Sequence, residues 1–245
     1  MSTTDSGPAA STGARILLIG ASRGLGLALA QEWLRGGRQV VGTVRGSRTG
    51  LHELADAHAR ADSPIGGLEI ETLEVTEPAQ IEALRTRLAG RTFDLLFVNA
   101  GVASEHEETV AETSDEEFVR VMVTNALAPL RVVEALHDLV TPTGTIGVMS
   151  SGQGSVANNE RGGHEVYRGS KAALNTFMRS YAARHREDPR TLVLMAPGWV
   201  RTDLGGPDAR LGIEESIPNV VATLDALAGR AGLHYVDYLG RTVAW

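Results

Sequence analysis

Short apolar runs alternate along the chain with longer stretches whose apolar residues recur at helical spacing. RILLIG (15–20) predicts a strand ending in glycine, and GLGLALAQEWLRGG (24–37) a helix stopped by Gly36 and Gly37. RQVVGTVR (38–45) is a second strand, and a helix follows over about 49–60. GLEIETLEV (67–75) alternates as a strand, and 77–90 is a helix opened by Pro78 and closed by Gly90. FDLLFVNAG (93–101) is a strand running into a loop. Residues 114–140 predict one long helix or a broken pair, with Thr124 and Asn125 as caps of the second part and Pro129 as a kink. GTIGVMSS (144–151) is a strand, 165–186 a helix, 190–200 a strand and turn, 213–228 a helix, and 234–245 a short strand and tail.

This β-α alternation predicts an α/β fold, a Rossmann-type doubly wound parallel sheet with helices on both faces. Residues 1–14 are small and polar and predict a disordered tail, leaving 15–245 as one domain. In such a sheet ligands bind beyond the carboxyl ends of the strands. The ends at 20–26, 43–47, 74–76, 99–101, 150–154 and 197–202 are all small or polar, which collects the candidate chemistry on one edge.

Composition narrows the function. The 245 residues carry a net charge of −7, which argues against nucleic acid or an anionic membrane as the main partner. No apolar run reaches the length of a membrane span. The absence of cysteine excludes thiolate chemistry and fits a reducing cytoplasm. Seven histidines lack any metal-ligand spacing, so no metal site is expected.

GASRGLG (20–26) lies between the first strand and first helix. Gly20 permits the tight turn, and Gly24 and Gly26 permit close approach to a pyrophosphate held on helix N-terminal amides. An NAD site places an acid about 20 residues further on. Here no acid lies between Glu32 and Glu53; Arg45 and Arg48 occupy that stretch, and Arg23 adds a cation within the loop. Guanidinium groups match a 2′-phosphate, so NADP(H) is favoured over NAD(H), with Arg48 by itself reading as a surface charge.

Tyr167 and Lys171 lie one turn apart on the predicted helix. An ordinary phenol, with a pKa near ~10, is a poor proton shuttle at neutral pH. An adjacent ammonium stabilises phenolate and lowers that value. Ser150 and Ser151 end a buried strand and could hold a carbonyl.

With GASRGLG, NAG (99–101), Asn125, SS (150–151), YRGSK (167–171) and PGWVRTD (197–203) in this order, residues 15–245 resemble the short-chain dehydrogenase/reductase family. YRGSKAALN, PGWVRTDLGGPDA and VDYLGRTVAW are similar in particular to its sniffer/C-factor carbonyl reductase branch. The resemblance implies an NADPH-dependent oxidoreductase that interconverts a ketone or aldehyde with an alcohol. It implies Tyr167 as general acid and base, Ser151 as the carbonyl ligand, and Lys171 as a ribose ligand that lowers the Tyr167 pKa. Asn125 would hold a water linking Lys171 to solvent. Ser22, Arg23, Leu25 and Gly26 would line the phosphates, and Asn99, Ala100 and Gly101 pack along the cofactor. Pro197, Gly198, Val200 and Thr202 would hold the nicotinamide amide and nearby phosphate. Glu74 and Val75 stand at the adenine, where the family commonly has an aspartate before the hydrophobic residue. The Ser151–Tyr167 interval is longer than usual, and 203–212 is a short glycine-rich candidate lid. Small carbonyl or alcohol compounds are the expected partners, and pairing through 124–140 and 165–186 would give a homodimer or homotetramer. The competing readings are an NADP(H)-binding regulatory or signalling protein with little catalysis, and an NAD-dependent alcohol dehydrogenase.

Overall fold

The computed structural model describes residues 13–60, 66–104 and 109–245. The expected tail as far as residue 12, and His106, lie outside the described residues. Seven strands form one parallel sheet: β1 (Arg15–Ile19), β2 (Gln39–Val44), β3 (Gly67–Thr72), β4 (Phe93–Val98), β5 (Val140–Met149), β6 (Thr191–Ala196) and β7 (Gly232–Asp237). Their order is β3-β2-β1-β4-β5-β6-β7. The helices are α1 (Gly24–Arg35), α2 (Gly50–Ala59), α3 (Pro78–Arg87), α4 (Asp115–Met122), α5 (Ala128–Leu136), α6 (Glu165–Arg184) and α7 (Ile213–Leu227).

Alternate residues of the central strands feed two cores. Leu17 and Ile19 of β1 pack with Ile81 of α3, Val132 of α5 and Leu174 of α6. Ile16 and Leu18 pack on the other face with Leu29 and Trp33 of α1, Leu51 of α2 and Val220 of α7. Because both faces are covered, the central strands are apolar runs, while edge strand β3, GLEIET, alternates. Helices change faces between α2 and α3, so the sheet's switch point lies between β1 and β4.

That switch point is closed by backbone contacts no larger residue would allow. Gly20 has φ +87°, and a Cβ there would lie 2.8 Å from Ala100 N. Asn99 Nδ2 donates to the Gly20 carbonyl at 2.8 Å. A Cβ on Gly26 would sit 2.0 Å from that same oxygen and 2.7 Å from Asn99 Nδ2. Gly26 therefore serves the approach of α1 to the sheet.

Three expectations are corrected here. Thr124 and Asn125 do not cap a second helix: α4 runs through a π turn, Val123–Leu127, into α5. The wider turn carries the chain past Pro129, which stands at the start of α5 and does not interrupt it. The fifth strand begins at Val140, where a helix end and turn were expected, because Val140 pairs with Phe93 across an irregular register.

Gly26→Ala is expected to destabilise the protein by about 3 kcal/mol or more, because the obstructing atom is backbone. Gly169→Ala, on α6 with nothing within 4 Å of the new Cβ, is its control. The control should gain up to about 1 kcal/mol. Urea unfolding of both variants checks this; equal effects would contradict the packing argument.

Candidate active site

A cavity of about 1800 Å³ runs along the carboxyl edge of the sheet. That exceeds the ~300–1,000 Å³ of a typical small-molecule site and leaves room for a dinucleotide together with a substrate. Among the expected residues, Gly20, Ser22, Arg23, Gly24, Leu25, Arg45, Glu74, Val75, Asn99, Ala100 and Gly101 border it. So do Ser151, Tyr167, Lys171, Pro197, Gly198, Val200 and Thr202. Gly26 and Asn125 are not on the wall, which corrects the expectation that Gly26 lines the phosphates. Gly26 acts in packing, as described above.

The glycine loop fits an anion. Helix α1 begins at Gly24 with no side-chain cap on its N-terminus and no acid in its first turn. Its first amides are thus the kind of donor a phosphate takes up. Two arginines at this end are held by carboxylates. Arg45 Nη1 lies 3.2 Å from Glu74 Oε2, and Arg23 Nη1 lies 2.8 Å from Asp203 Oδ2. Burial raises the Glu74 pKa, but hydrogen bonds from Thr76 N and Oγ1, then Arg45, outweigh it and hold the carboxyl below its ordinary value. Arg48 pairs with Asp56 at 3.0 Å and does not border the cavity, in keeping with a surface charge.

At the other end, β5 delivers two serines with different fates. Ser150 is buried and donates to Asn175 Oδ1 at 2.7 Å. Asn175 Nδ2 in turn donates to the Gly154 carbonyl at 3.1 Å. Ser151 Oγ accepts from Gln153 N at 3.1 Å, which leaves its hydroxyl proton to donate. The Ser151 carbonyl accepts from the Tyr235 hydroxyl at 2.6 Å.

Tyr167 and Lys171 project from α6. Burial pushes the Tyr167 phenol above its ordinary value; Ser151 opposes this and Tyr235 adds to it, so the net shift is upward, which corrects the expectation that Lys171 lowers it. Lys171 Nζ lies 5.9 Å from the Tyr167 ring centroid and donates to the Met149 carbonyl at 3.0 Å. Burial lowers its pKa to about 8, so it is mainly an ammonium at neutral pH.

Asn125 is fully buried. Its Oδ1 accepts from Val102 N at 2.8 Å, and its Nδ2 donates to the Val102 carbonyl at 2.8 Å and Ser170 Oγ at 3.0 Å. It thereby ties the loop after β4 to the helix that carries Tyr167 and Lys171. Trp199 borders the cavity, with Nε1 donating to the Gly205 carbonyl at 2.7 Å. His164 also borders it, at the N-terminal end of α6 in the left-handed region, φ 49°. The segment after Thr202 is fixed at its base, where Arg201 N donates to the Leu211 carbonyl at 2.9 Å and Leu211 N to that of Trp199 at 3.0 Å.

Sequence reasoning missed Tyr235, Tyr238 and Val243. Tyr238 and Val243 border the cavity, and Tyr235 holds Ser151 from behind. The available signal was topological: a parallel seventh strand ends on the same edge as the other six. Among the described residues, no group of His, Asp and Glu side chains could hold a metal ion, and no helix is long and apolar enough to cross a membrane.

Comparison with known proteins agrees with this geometry. The family profile described as short chain dehydrogenase matches residues 14–210. C-signal of Myxococcus xanthus is 34% identical over 167 residues, 67% of this chain and all of that protein. A Burkholderia multivorans protein described as a short-chain dehydrogenase/reductase and solved with bound NADP is 59% identical, with a TM-score of 0.91 over 95% of this chain and 100% of that one. A carbonyl reductase from Pseudomonas aeruginosa PAO1, solved in complex with NADP, is 37% identical, with a TM-score of 0.84 over 95% and 100% of the two chains.

The Lys171 environment has a measurable consequence. Its pKa falls from 10.5 to about 8 on folding, so between those values the unfolded chain holds a proton that the native chain has released. Stability then rises with pH across that window. The contribution is about 3 kcal/mol at roughly 1.4 kcal/mol per unit. Urea unfolding of the ligand-free protein and of Lys171→Met, at pH 7.5 and 10, should show the wild type gaining on the variant as pH rises. Parallel behaviour would contradict the buried ammonium.

Proposed function

The chain belongs to the short-chain dehydrogenase family, and from that premise we propose that it reduces a ketone or aldehyde to an alcohol, reversibly, with NADP(H). The observation that carries this reading is that Ser151, Tyr167 and Lys171 border one cavity, with the Lys171 ammonium buried one turn along α6 from Tyr167. When bound, NADP(H) supplies the hydride for reduction or accepts it for oxidation.

The protein's own residues handle orientation and the proton. Ser151 donates its hydroxyl to the substrate carbonyl oxygen. Tyr167 gives its phenolic proton to that oxygen as negative charge develops there, and takes it back in the reverse direction. The raised phenol pKa keeps this proton in place at neutral pH, ready for reduction. The Lys171 ammonium stabilises the phenolate left behind and hydrogen-bonds the nicotinamide ribose. Asn125 is a positioning residue. Its side chain is committed to Val102 and Ser170, so the proposed water falls to its main-chain carbonyl. Pro129, four residues on, has no N–H to offer that carbonyl.

The glycine loop fits the pyrophosphate, and Pro197, Gly198, Val200 and Thr202 fit the nicotinamide end. Arg45 is the proposed ligand of the 2′-phosphate, with Arg23 nearby. Releasing Arg45 from Glu74 costs little, because exposed pairs contribute roughly 0–1 kcal/mol. The NADP-bound relatives support this choice over NAD(H). Exposed Phe118 on α4, Leu127 in the π turn and Phe177 on α6 support a homodimer or homotetramer through these helices. A purely regulatory role has less support, since Ser151, Tyr167 and Lys171 are all retained.

Tyr167→Phe should lower kcat by roughly 10²-fold or more while leaving the Kd for NADPH within about threefold. Full turnover in that variant would sink the mechanism. Arg45→Ala should weaken NADPH binding by roughly tenfold and leave NADH unchanged, measured by cofactor fluorescence; the loss of one charged hydrogen bond sets that scale. Equal weakening of both cofactors would remove Arg45 from phosphate recognition.

A further inference from the structure

The cavity wall carries seven basic side chains besides His164, and most are already satisfied. Arg23 pairs with Asp203, Arg45 with Glu74, Arg120 with Glu117 and Arg241 with Asp237. Lys171 belongs to the catalytic group. Arg161 and Arg168 are different: neither has a carboxylate partner among the described residues. Both flank Tyr167, Arg168 as the next residue of α6 and Arg161 on the loop that lengthens the interval from Ser151.

This loop is built rather than incidental. Asn158 N donates to Ser155 Oγ at 3.1 Å, and Ala157 N donates to the Trp245 carbonyl at 2.9 Å. Trp245 lies against Tyr235 with ring centroids 5.4 Å apart, and Tyr235 grips the Ser151 carbonyl. Gly162 and Gly163, at φ +66° and +71°, turn the chain into α6. Arg168 Nε donates back to the Gly163 carbonyl at 2.8 Å. That bond holds the guanidinium plane and leaves its two terminal nitrogens for another acceptor.

The acids on the same wall leave the charge uncompensated. Glu74, Asp203 and Asp237 are each paired with an arginine, so Asp208 alone among the wall's acids stands against the two unpaired guanidiniums of Arg161 and Arg168. Solvated surface arginines would be the plain alternative, but two unpaired guanidiniums bordering a concave site focus an attractive potential for anions there.

We infer that the carbonyl substrate carries a carboxylate, which Arg161 and Arg168 bind while its carbonyl lies at Ser151 and Tyr167. The inference rests on the carbonyl reductase reading and adds the substrate class. The guanidinium fork suits a carboxylate's two oxygens, and the two arginines act on binding, not on the proton.

The test compares oxo acids with their methyl esters, using NADPH: 4-carboxybenzaldehyde, 4-oxopentanoate and 6-oxoheptanoate, which differ in reach. In the wild type at low salt, at least one acid should exceed its ester in kcat/KM by roughly tenfold, mainly through KM, since losing a charged hydrogen bond carries about that factor. Added salt should shrink the preference. In Arg161→Gln/Arg168→Gln the acid-to-ester ratio should fall toward one. Arg161→Lys/Arg168→Lys, which keeps the charge, should retain a preference and so separates charge from loop support. Esters turned over as well as every acid, or a preference that survives the glutamine variant, would overturn the inference alone. No turnover of any compound would overturn the reductase reading and this inference with it.

Discussion

The hydrogen bond from Asn99 Nδ2 to the Gly20 carbonyl, 2.8 Å long, joins the ends of β1 and β4 at the point where the helices change faces. A doubly wound sheet must open a crevice there, because the flanking helices diverge to opposite sides. Gly20 and Gly26 let α1 start close against that bond, and the backbone amides at its N-terminus then face the crevice. The phosphate end of the cavity, the loop carrying Gly101 and the position of β4 beside β5 all follow from this junction. A side chain at either glycine would push them apart.

Behind Ser151, Tyr167 and Lys171 lies a set of buried polar contacts that are nearly all satisfied. Ser150 bonds Asn175, Asn175 bonds Gly154, Tyr235 bonds Ser151, and Lys171 bonds Met149. Asn125 does the same for the β4 loop and α6. Such networks are costly when broken, because each group would be left unpaired in a low dielectric. Their value here is orientation: Ser151 is held by its carbonyl from β7 and through its Oγ by Gln153 N, which leaves its hydroxyl proton one direction to serve. The two carboxylates that hold Arg45 and Arg23 show the opposite economy, since exposed ion pairs yield easily to a better anion.

The sheet and most of its helices were legible in the sequence, because strands buried on both faces are apolar runs and helices show their own period. The end of β3 was read too long, to residue 75 rather than Thr72, because Leu73 and Val75 continue its apolar pattern onto the cavity wall. Asn125 was legible as a family position, yet its local look as a helix cap was misleading; only the π turn shows that it points into the core. Gly26 was legible as a required glycine but assigned to the wrong neighbour, since spacing cannot tell a phosphate from a carbonyl. Tyr235 escaped notice because its partner is a main-chain oxygen 84 positions away in sequence. Nor could sequence show that Arg45 and Arg23 start out paired, which depends on where β3 and the segment after β6 end.

The central claim is that one cavity holds the cofactor by its phosphates and the carbonyl by Ser151 and Tyr167. A crystal structure with NADP⁺ and a soaked ketone or alcohol tests it most directly. The pyrophosphate should lie on the amides of the glycine loop, Arg45 should turn from Glu74 to the 2′-phosphate, and the substrate oxygen should lie within hydrogen-bond distance, ~2.6–3.2 Å, of both Ser151 Oγ and the Tyr167 hydroxyl. A substrate oxygen held away from both hydroxyls, or a nicotinamide lying outside the cavity, would contradict it.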